Sequence, residues 1–174
     1  LDLQFLGITD LLLLRGDKAK DDKMFVAEKN GYSHTTQLIE QVNKFNEGAF
    51  LDGSPIKAPG KRFSYGVACY PEKHEEAMNM DMDMECLKAK IKAGAKYVVT
   101  QMFFDNQKYF NFVKRCRETG ITVPIIPGIK PLTALTQQVL LPKTFHIDLP
   151  IELATELRKC RSNDEVKALG IEWG

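Results

Sequence analysis

Polar and charged side chains follow four short apolar stretches of the chain, and these residues could carry out chemistry. The four stretches end in Arg15-Gly16-Asp17, Tyr70-Pro71-Glu72-Lys73-His74, Thr100-Gln101 and Pro127-Gly128-Ile129-Lys130-Pro131. Arginine and lysine form charge-assisted hydrogen bonds with anions, and glycine lets a ligand approach the backbone closely. Any one of these ends is better explained as an ordinary turn, since Gly, Pro and Asp are common there. Four such ends in one chain favour a binding site.

The pattern of apolar residues predicts the strands that must position these side chains. Four segments are predicted to be strands: Thr9–Leu14, Phe63–Tyr70, Tyr97–Phe104 and Val123–Ile129. None alternates cleanly between apolar and polar residues, which indicates burial on both faces, as in parallel sheets. An exposed Arg-Gly-Asp adhesion signal is therefore disfavoured, whereas a structural ion pair between Arg15 and Asp17 remains open.

Helices are predicted between and after these strands. The segments are Thr35–Phe45, Met84–Ala93, Gln107–Thr119 (with Tyr109, Phe110, Phe112, Val113 and Cys116 toward a core), Pro150–Lys159 and Glu165–Leu169. Ser162-Asn-Asp-Glu165 has the form of a capping box. Alternating strands and helices require crossover connections, hence an α/β fold with a parallel sheet. In such folds ligands bind at the carboxyl ends of the strands.

Two further motifs have competing interpretations. His74-Glu75-Glu76 resembles part of a metalloprotease helix, but Met78 stands where the second histidine is needed, so a zinc site is disfavoured. In the methionine-rich run before Leu87, Asp81 or Asp83 is predicted to cap a helix, and binding of ligand hydroxyls is the alternative for Asp83. The sequence has no glycine-rich dinucleotide or P-loop motif, so a nucleotide would have to be held another way.

Composition narrows the class of protein. The 174 residues, 44% hydrophobic and 27% charged, predict a single soluble globular domain over residues 1–174. A net charge of +1 without a basic stripe disfavours nucleic-acid binding. No apolar run reaches the ~18–20 residues of a membrane span, and no signal peptide is recognisable. Four widely spaced cysteines predict buried free thiols in a cytoplasmic protein. Because the chain lacks a starting methionine, we expect it to be part of a longer protein.

Five motifs occur in order over nearly the whole chain: LLLLRGD, YPEKHEEA, D-x-x-x-L-K-x-K-x-x-A-G-A, TQMFFD and PIIPGIKP. Together they resemble the methylenetetrahydrofolate reductase family. The resemblance implies a (β/α)₈ TIM barrel that binds FAD at the carboxyl ends of its strands. It also implies an oxidoreductase of one-carbon metabolism and methionine biosynthesis. Such an enzyme reduces 5,10-methylenetetrahydrofolate to 5-methyltetrahydrofolate by ping-pong hydride transfer from NADH or NADPH through FAD.

The resemblance assigns roles to individual residues. The residues expected to bind FAD are Arg15, Gly16, Asp17, Tyr32, Ser33, Ala68, Tyr70, His74, Asp83 and Lys90. The residues expected to contact the folate are Asp17, Gln101 and Gln137. Within the FAD set, Lys90 would bind the pyrophosphate and Asp83 the ribose hydroxyls. Asp17 is the expected catalytic residue, because its negative charge would favour the cationic iminium form of the substrate. Cys86 and Ala89 replace Asn and Arg of some relatives, so the contacts with the diphosphate are expected to differ.

The resemblance also implies that a complete barrel extends beyond this sequence. The four predicted strands correspond to the family's fourth to seventh, and the glutamate that serves as general acid belongs to an earlier strand. We therefore expect an internal fragment that is inactive alone, and open sheet edges that favour homo-oligomers. Two alternatives remain: another FAD-dependent barrel, such as a proline dehydrogenase-like enzyme, and a non-catalytic α/β module for protein association.

Overall fold

A computed structural model describes residues 2–18, 24–58 and 60–174. Within these ranges the chain forms, in order, α1 (Asp2–Phe5), β1 (Asp10–Leu13), α2 (Thr35–Asn46), β2 (Ser64–Cys69), α3 (Met80–Lys92), β3 (Tyr97–Met102), α4 (Asn106–Glu118), β4 (Ile125–Gly128), α5 (Gln137–Phe145), α6 (Ile151–Lys159) and α7 (Asn163–Trp173). None of the helices in the described ranges has both the length and the apolar character of a membrane span.

The strands form one sheet in the order β1-β2-β3-β4. β1 pairs in parallel with β2, from Asp10 opposite Ser64 to Leu13 opposite Val67. The predicted α/β class with four parallel strands is confirmed, and each strand is shorter than predicted. The strand order follows the chain order, as expected when each crossover helix carries the chain to the adjacent position.

Burial differs between the middle and the edges of the sheet. In β2 and β3 the alternate residues Tyr65, Val67 and Val98 are buried. In β1 only Leu13 is buried, whereas Leu12 is 42% exposed, and in β4 Ile126 is 45% exposed. The prediction that all four strands are buried on both faces is therefore wrong for the edges. An edge strand pairs with another strand on one side only, so fewer neighbouring side chains cover its own side chains.

The helices correct several sequence-based details. α3 begins at Met80, because Asn79 Oδ1 accepts a hydrogen bond from Met82 N at 2.9 Å. Capping of this helix by Asp81 or Asp83 is therefore wrong. Phe110 in α4 is 58% exposed rather than directed toward a core. α5 was not predicted; it contains Pro142, a residue normally taken to interrupt a helix.

Of the two hydrogen bonds of the capping box predicted at the start of α7, the structure contains one. Ser162 Oγ accepts from Glu165 N, as a capping box requires, but Glu165 Oε2 accepts from Arg161 N rather than from the cap residue. The helix continues to Trp173, beyond the predicted end at Leu169.

The cysteines are free, as predicted, but they are not all buried. Cys69 and Cys116 are buried, Cys160 is half-buried and Cys86 is exposed. Burial raises the pKa of Cys116 to about 11, which makes it a poor nucleophile.

The chain divides into two compact units, and the single-domain organisation stays a prediction. Unit 1 comprises Leu1–Ala68 and Cys86–Val98, and unit 2 comprises Cys69–Glu85 and Val99–Gly174. In unit 1 the Tyr97 ring lies over Gly66, where an added Cβ would be 2.2 Å from the ring, and the Tyr97 hydroxyl donates to Leu11 O at 2.8 Å. The absence of a side chain at Gly66 in β2 thus allows Tyr97 of β3 to reach across and hydrogen-bond to β1.

Unit 2 has its own hydrophobic core. Its fully buried members come from the loops and helices after β3: Leu132, Leu153, Leu157 and Val166. Gly128 N donates to Thr100 Oγ1 at 2.9 Å, and a Cβ on Gly128 would lie 2.2 Å from Thr100 O. Close packing of β3 against β4 therefore requires this glycine and fixes the strand that leads into Gln101.

Candidate functional site

Three of the residues expected to bind FAD lie together in unit 2, around the segment that follows β2. We call this segment, residues 70–77, the β2-end loop. The rings of Tyr70 and His74 meet edge to face, with centroids 4.6 Å apart and an interplanar angle of 86°. His74 N donates to Asp83 Oδ2 at 2.8 Å, which ties the loop to the first turn of α3. The structure therefore brings Tyr70, His74 and Asp83 into one cluster.

Hydrogen bonding fixes the orientation of the His74 ring. Glu76 N donates to His74 Nδ1 at 3.0 Å. Because Nδ1 accepts this bond, the neutral imidazole carries its proton on Nε2. His74 can therefore present an N–H donor on the ring edge opposite the backbone of its own loop.

Lys73 stabilises the same loop from within. Its Nζ lies 2.9 Å from His74 O and 2.6 Å from Ala77 O, and it donates to Glu75 O at 3.4 Å. Its backbone has φ +85°, a left-handed conformation that is uncommon for a residue with a side chain. The ammonium group offsets this strain by satisfying carbonyl groups of the turn.

Two more of the expected FAD-binding residues meet in unit 1. Lys90, in the second half of α3, donates from Nζ to Ala68 O at 3.3 Å. Ala68 is the penultimate residue of β2, so the ammonium group lies beside the carboxyl end of that strand. An ammonium has three N–H donors, so the contact with Ala68 is compatible with a second bond to an anion.

The segment after β1, also in unit 1, contains Arg15, Gly16 and Asp17. The Arg15 guanidinium lies 4.4 Å from the centroid of the Phe25 ring, a cation–π contact. Gly16 and Asp17 are exposed. Among the described residues, only Phe25 Cε2 would lie within 4.0 Å of a Cβ on Gly16, so packing against these residues does not require glycine there.

Tyr32 and Ser33 precede α2, as predicted. Gln37 Oε1 accepts from Ser33 N at 2.9 Å and from His34 N at 3.0 Å, which closes the start of the helix. Tyr32 is half-buried and Ser33 is exposed. The backbone N–H of Ser33 is thus used by the helix cap, and its hydroxyl is the group suited to a ligand.

The two glutamines expected to contact the folate are bonded to nearby backbone. Gln101 Oε1 accepts from Met102 N at 2.9 Å. Gln137 Oε1 accepts from Thr133 N at 2.6 Å and Ala134 N at 3.2 Å, at the start of α5. In both residues the oxygen is therefore occupied locally, and the Nε2 amide group is the part suited to a ligand.

Glu72 was not among the expected site residues, although it lies in the β2-end loop. Its side chain is only 8% exposed, and its Oε2 lies 3.2 Å from Lys108 Nζ and accepts from Asp148 N at 2.7 Å. Burial raises the pKa of this carboxyl, against the lowering effects of Asp148 N–H and Lys108. The one local signal for Glu72 was its position as an acid directly after a buried strand, since its partner Asp148 is 76 residues away.

Comparison with known proteins identifies relatives along the whole chain. A family model described as methylenetetrahydrofolate reductase matches residues 2–174. Methylenetetrahydrofolate reductase 2 of Saccharomyces cerevisiae is 32% identical over 163 residues, covering 92% of this chain and 25% of that protein. Methylenetetrahydrofolate reductase (NADH) 1 of Arabidopsis thaliana is 32% identical over 178 residues, covering 96% and 28%.

A relative from an animal is more similar in sequence. The probable methylenetetrahydrofolate reductase (NADPH) of Caenorhabditis elegans is 39% identical over 168 residues, covering 96% of this chain and 23% of that protein. The chain thus spans about a quarter of the length of these curated relatives.

Proposed function

Because this chain belongs to the methylenetetrahydrofolate reductase family, we propose that it forms part of an enzyme that reduces 5,10-methylenetetrahydrofolate to 5-methyltetrahydrofolate. In this proposal FAD is the cofactor, and NADH or NADPH is the reductant. Relatives are named for each nicotinamide, so the proposal includes both. The observation that carries it is the cluster of Tyr70, His74 and Asp83 inside the region that the family model matches.

The residues at the ends of β1 and β2 suit a flavin nucleotide chemically. Lys90 and Arg15 carry positive charge for a diphosphate, and charge-assisted bonds are stronger than neutral ones. Tyr70 and His74 provide an aromatic edge and a ring N–H. Tyr32, Ser33 and Ala68 lie beside helix or strand ends, where backbone and hydroxyl groups can reach a ligand. In the part of the chain that the structure describes, only Phe25 Cε2 comes within 4.0 Å of a Cβ placed on Gly16.

Each proposed residue then has a limited task. FAD, when bound, would supply the hydride chemistry between the nicotinamide and the folate in two separate half-reactions. Asp17 would stabilise positive charge on the substrate through its own negative charge. Gln101 and Gln137 would orient the folate through their Nε2 groups, since their oxygens bind backbone. Asp83 binds His74 N through Oδ2, and its second carboxylate oxygen is the one we assign to the ribose hydroxyls.

We also propose a cytoplasmic homo-oligomeric enzyme that contributes to methionine biosynthesis. Exposed apolar side chains on both edge strands, Leu12 and Ile126 among them, support association with further protein. The same edges would serve a non-catalytic association module, so cofactor binding is what separates the two functions. The family match favours the folate reductase over a proline dehydrogenase-like enzyme.

A titration with FAD tests this proposal. We expect the chain to quench flavin fluorescence on binding, and Lys90→Met to weaken the affinity about tenfold, the effect of losing a charged hydrogen bond of about 1.4 kcal/mol. Lys92→Met is the matched control, because Lys92 is an exposed lysine in the same helix. Absence of FAD binding by the folded chain, or equal weakening by both variants, would contradict the proposed site.

A further inference from the structure

Two acids of the β2-end loop contact one short segment between α5 and α6. Glu72 Oε2 accepts from Asp148 N at 2.7 Å, and Glu75 Oε2 lies 3.2 Å from His146 Nε2. We call residues 146–148 the clasp segment. Its middle residue, Ile147, is 4% exposed and belongs to the hydrophobic core of unit 2. The loop that carries Tyr70 and His74 is therefore fastened at two points to a segment anchored in that core.

Of the two acids, Glu72 is the buried one. Lys108, on α4, lies 3.2 Å from Glu72 Oε2 and also forms an ion pair with Asp148, so three elements meet at this carboxylate. Glu72 Oε1 is buried and has no hydrogen-bond partner among the described residues. An unpaired buried carboxylate oxygen costs free energy, and such groups in native structures call for an explanation.

Stability alone does not explain an acid at this position. A buried ion pair is often no more stabilising than well-packed apolar residues of similar volume. A carboxylate is, however, directional: it fixes the Asp148 N–H and the Lys108 ammonium at defined distances, which an apolar side chain cannot do. His74 follows Glu72 by two residues, and the intervening Lys73 has the strained left-handed backbone. A shift of Glu72 would therefore be transmitted to the His74 ring.

We propose that Glu72 is a positioning residue, which holds the β2-end loop against the clasp segment and α4 and so sets the orientation of the His74 ring against Tyr70. The importance of this orientation for FAD rests on the proposed function. The orientation itself does not, and it can be measured without a cofactor.

The histidine ring signals in ¹H–¹³C NMR spectra test the proposal directly. The sequence has three histidines, and His74→Gln assigns the signal of His74. The Tyr70 ring lies 4.6 Å from the His74 ring, so its ring current shifts that signal. We expect Glu72→Ala to move the His74 signal most. Glu72→Gln should move it less, because the amide oxygen still accepts from Asp148 N. The signal of His34, before α2 in unit 1, should not move.

Two controls keep the test decisive. Glu118→Gln removes an exposed acid at the end of α4 and should leave His74 unchanged. If Glu72→Ala does not fold, Lys108→Met removes the cation from the same carboxylate and should also move the His74 signal. A His74 signal that stays fixed in the folded Glu72 and Lys108 variants, or moves equally in Glu118→Gln, would overturn the proposal.

FAD affinity provides the second measurement. We expect Glu72→Ala to weaken FAD binding about tenfold and Glu72→Gln about threefold, in the same order as the NMR shifts. If the wild-type chain binds no FAD, the proposed function fails while the NMR result still decides the role of Glu72. If FAD binds and Glu72→Ala leaves both the affinity and His74 unchanged, only the positioning role is overturned.

Discussion

The end of β1 and the end of β2 carry residues of the same predicted role, but the contacts seen among the described residues differ between them. After β2, Lys73 donates hydrogen bonds to three carbonyl groups within the β2-end loop. Glu72 and Glu75 join this loop to the clasp segment. After β1, Gly16 and Asp17 are exposed, and the Arg15 guanidinium lies over the Phe25 ring. Both ends belong to motifs on which the family resemblance rests.

Because of this difference, we expect substitutions at the two strand ends to differ in their effects on the free energy of unfolding and on ligand affinity. In the β2-end loop the same side chains would hold the loop conformation and position a ligand. Substitutions there should therefore change both the free energy of unfolding and the ligand affinity. At the end of β1, where Gly16 and Asp17 are exposed, we expect the effect of a substitution to fall mainly on binding. Substitutions at three positions test this division.

The largest effect on stability is expected for Lys73→Ala. The change removes three charge-assisted hydrogen bonds and keeps the strained φ of +85°, so we expect a loss of about 2 kcal/mol in the free energy of unfolding. Denaturant unfolding can be followed through Trp173, the single tryptophan, whose Nε1 donates to Phe104 O within unit 2.

Lys73→Gly separates the two contributions. Glycine also lacks the ammonium group but adopts positive φ without strain, so it should recover about 1 kcal/mol relative to alanine. Equal stability of the two variants would show that the backbone at position 73 is not strained. Wild-type stability in both would show that the lysine does not support the loop, and the division between the two strand ends would fail.

A smaller effect, dependent on pH, is expected for Glu72→Gln. Burial raises the pKa of Glu72 above its ordinary value of 4.5, so the folded protein binds this proton more tightly than the unfolded chain. The contribution of Glu72 to stability is therefore fully present below that ordinary value and is lost as the pH rises through the raised pKa. Glutamine has no such proton, so Glu72→Gln should gain stability relative to the wild type as the pH rises.

We expect the stability of Glu72→Gln relative to the wild type to increase as the pH is raised from below the ordinary pKa of 4.5, measured by denaturant unfolding through Trp173. For Lys108, burial lowers the pKa, but the contacts with Asp148 and Glu72 outweigh it and the pKa is raised, so Lys108 stays charged over the pH range in which Glu72 titrates. A stability difference that does not vary with pH would mean that Glu72 has the same pKa in the folded and unfolded chain.

The sequence predicted most of the fold because its strands are short β-branched and aromatic runs separated by amphipathic helices. All four strands and the five predicted helices exist, with shifted ends. α5 was missed because Pro142 resembles a helix breaker, although proline at this position leaves its own carbonyl free to accept from His146 N. The exposure of Leu12 was missed because local sequence does not show whether a strand lies at the edge of its sheet.

Contacts within the candidate site were predicted only where they are local. Tyr70 and His74 lie four residues apart in one motif, and their association could be expected. Asp83 was predicted to cap a helix, but it instead accepts from His74 N, nine residues earlier, because α3 begins at Met80 and leaves the carboxylate facing the loop. The contact of Glu72 with Asp148 joins residues 76 positions apart, and no local pattern specifies it.

The smallest effect on stability, and the clearest test of the division, is expected for Gly16→Ala. Within the described ranges, only Phe25 Cε2 would lie within 4.0 Å of a Cβ at position 16, so we expect the free energy of unfolding to change by less than about 0.5 kcal/mol. If the open backbone there makes room for a flavin, the same methyl group should nevertheless weaken FAD binding about tenfold, since a ligand cannot approach the backbone as closely. Circular dichroism during unfolding and a fluorescence titration with FAD measure the two quantities. A loss of stability with unchanged affinity would reverse the division, and would mean that the glycine after β1 serves the fold rather than a ligand.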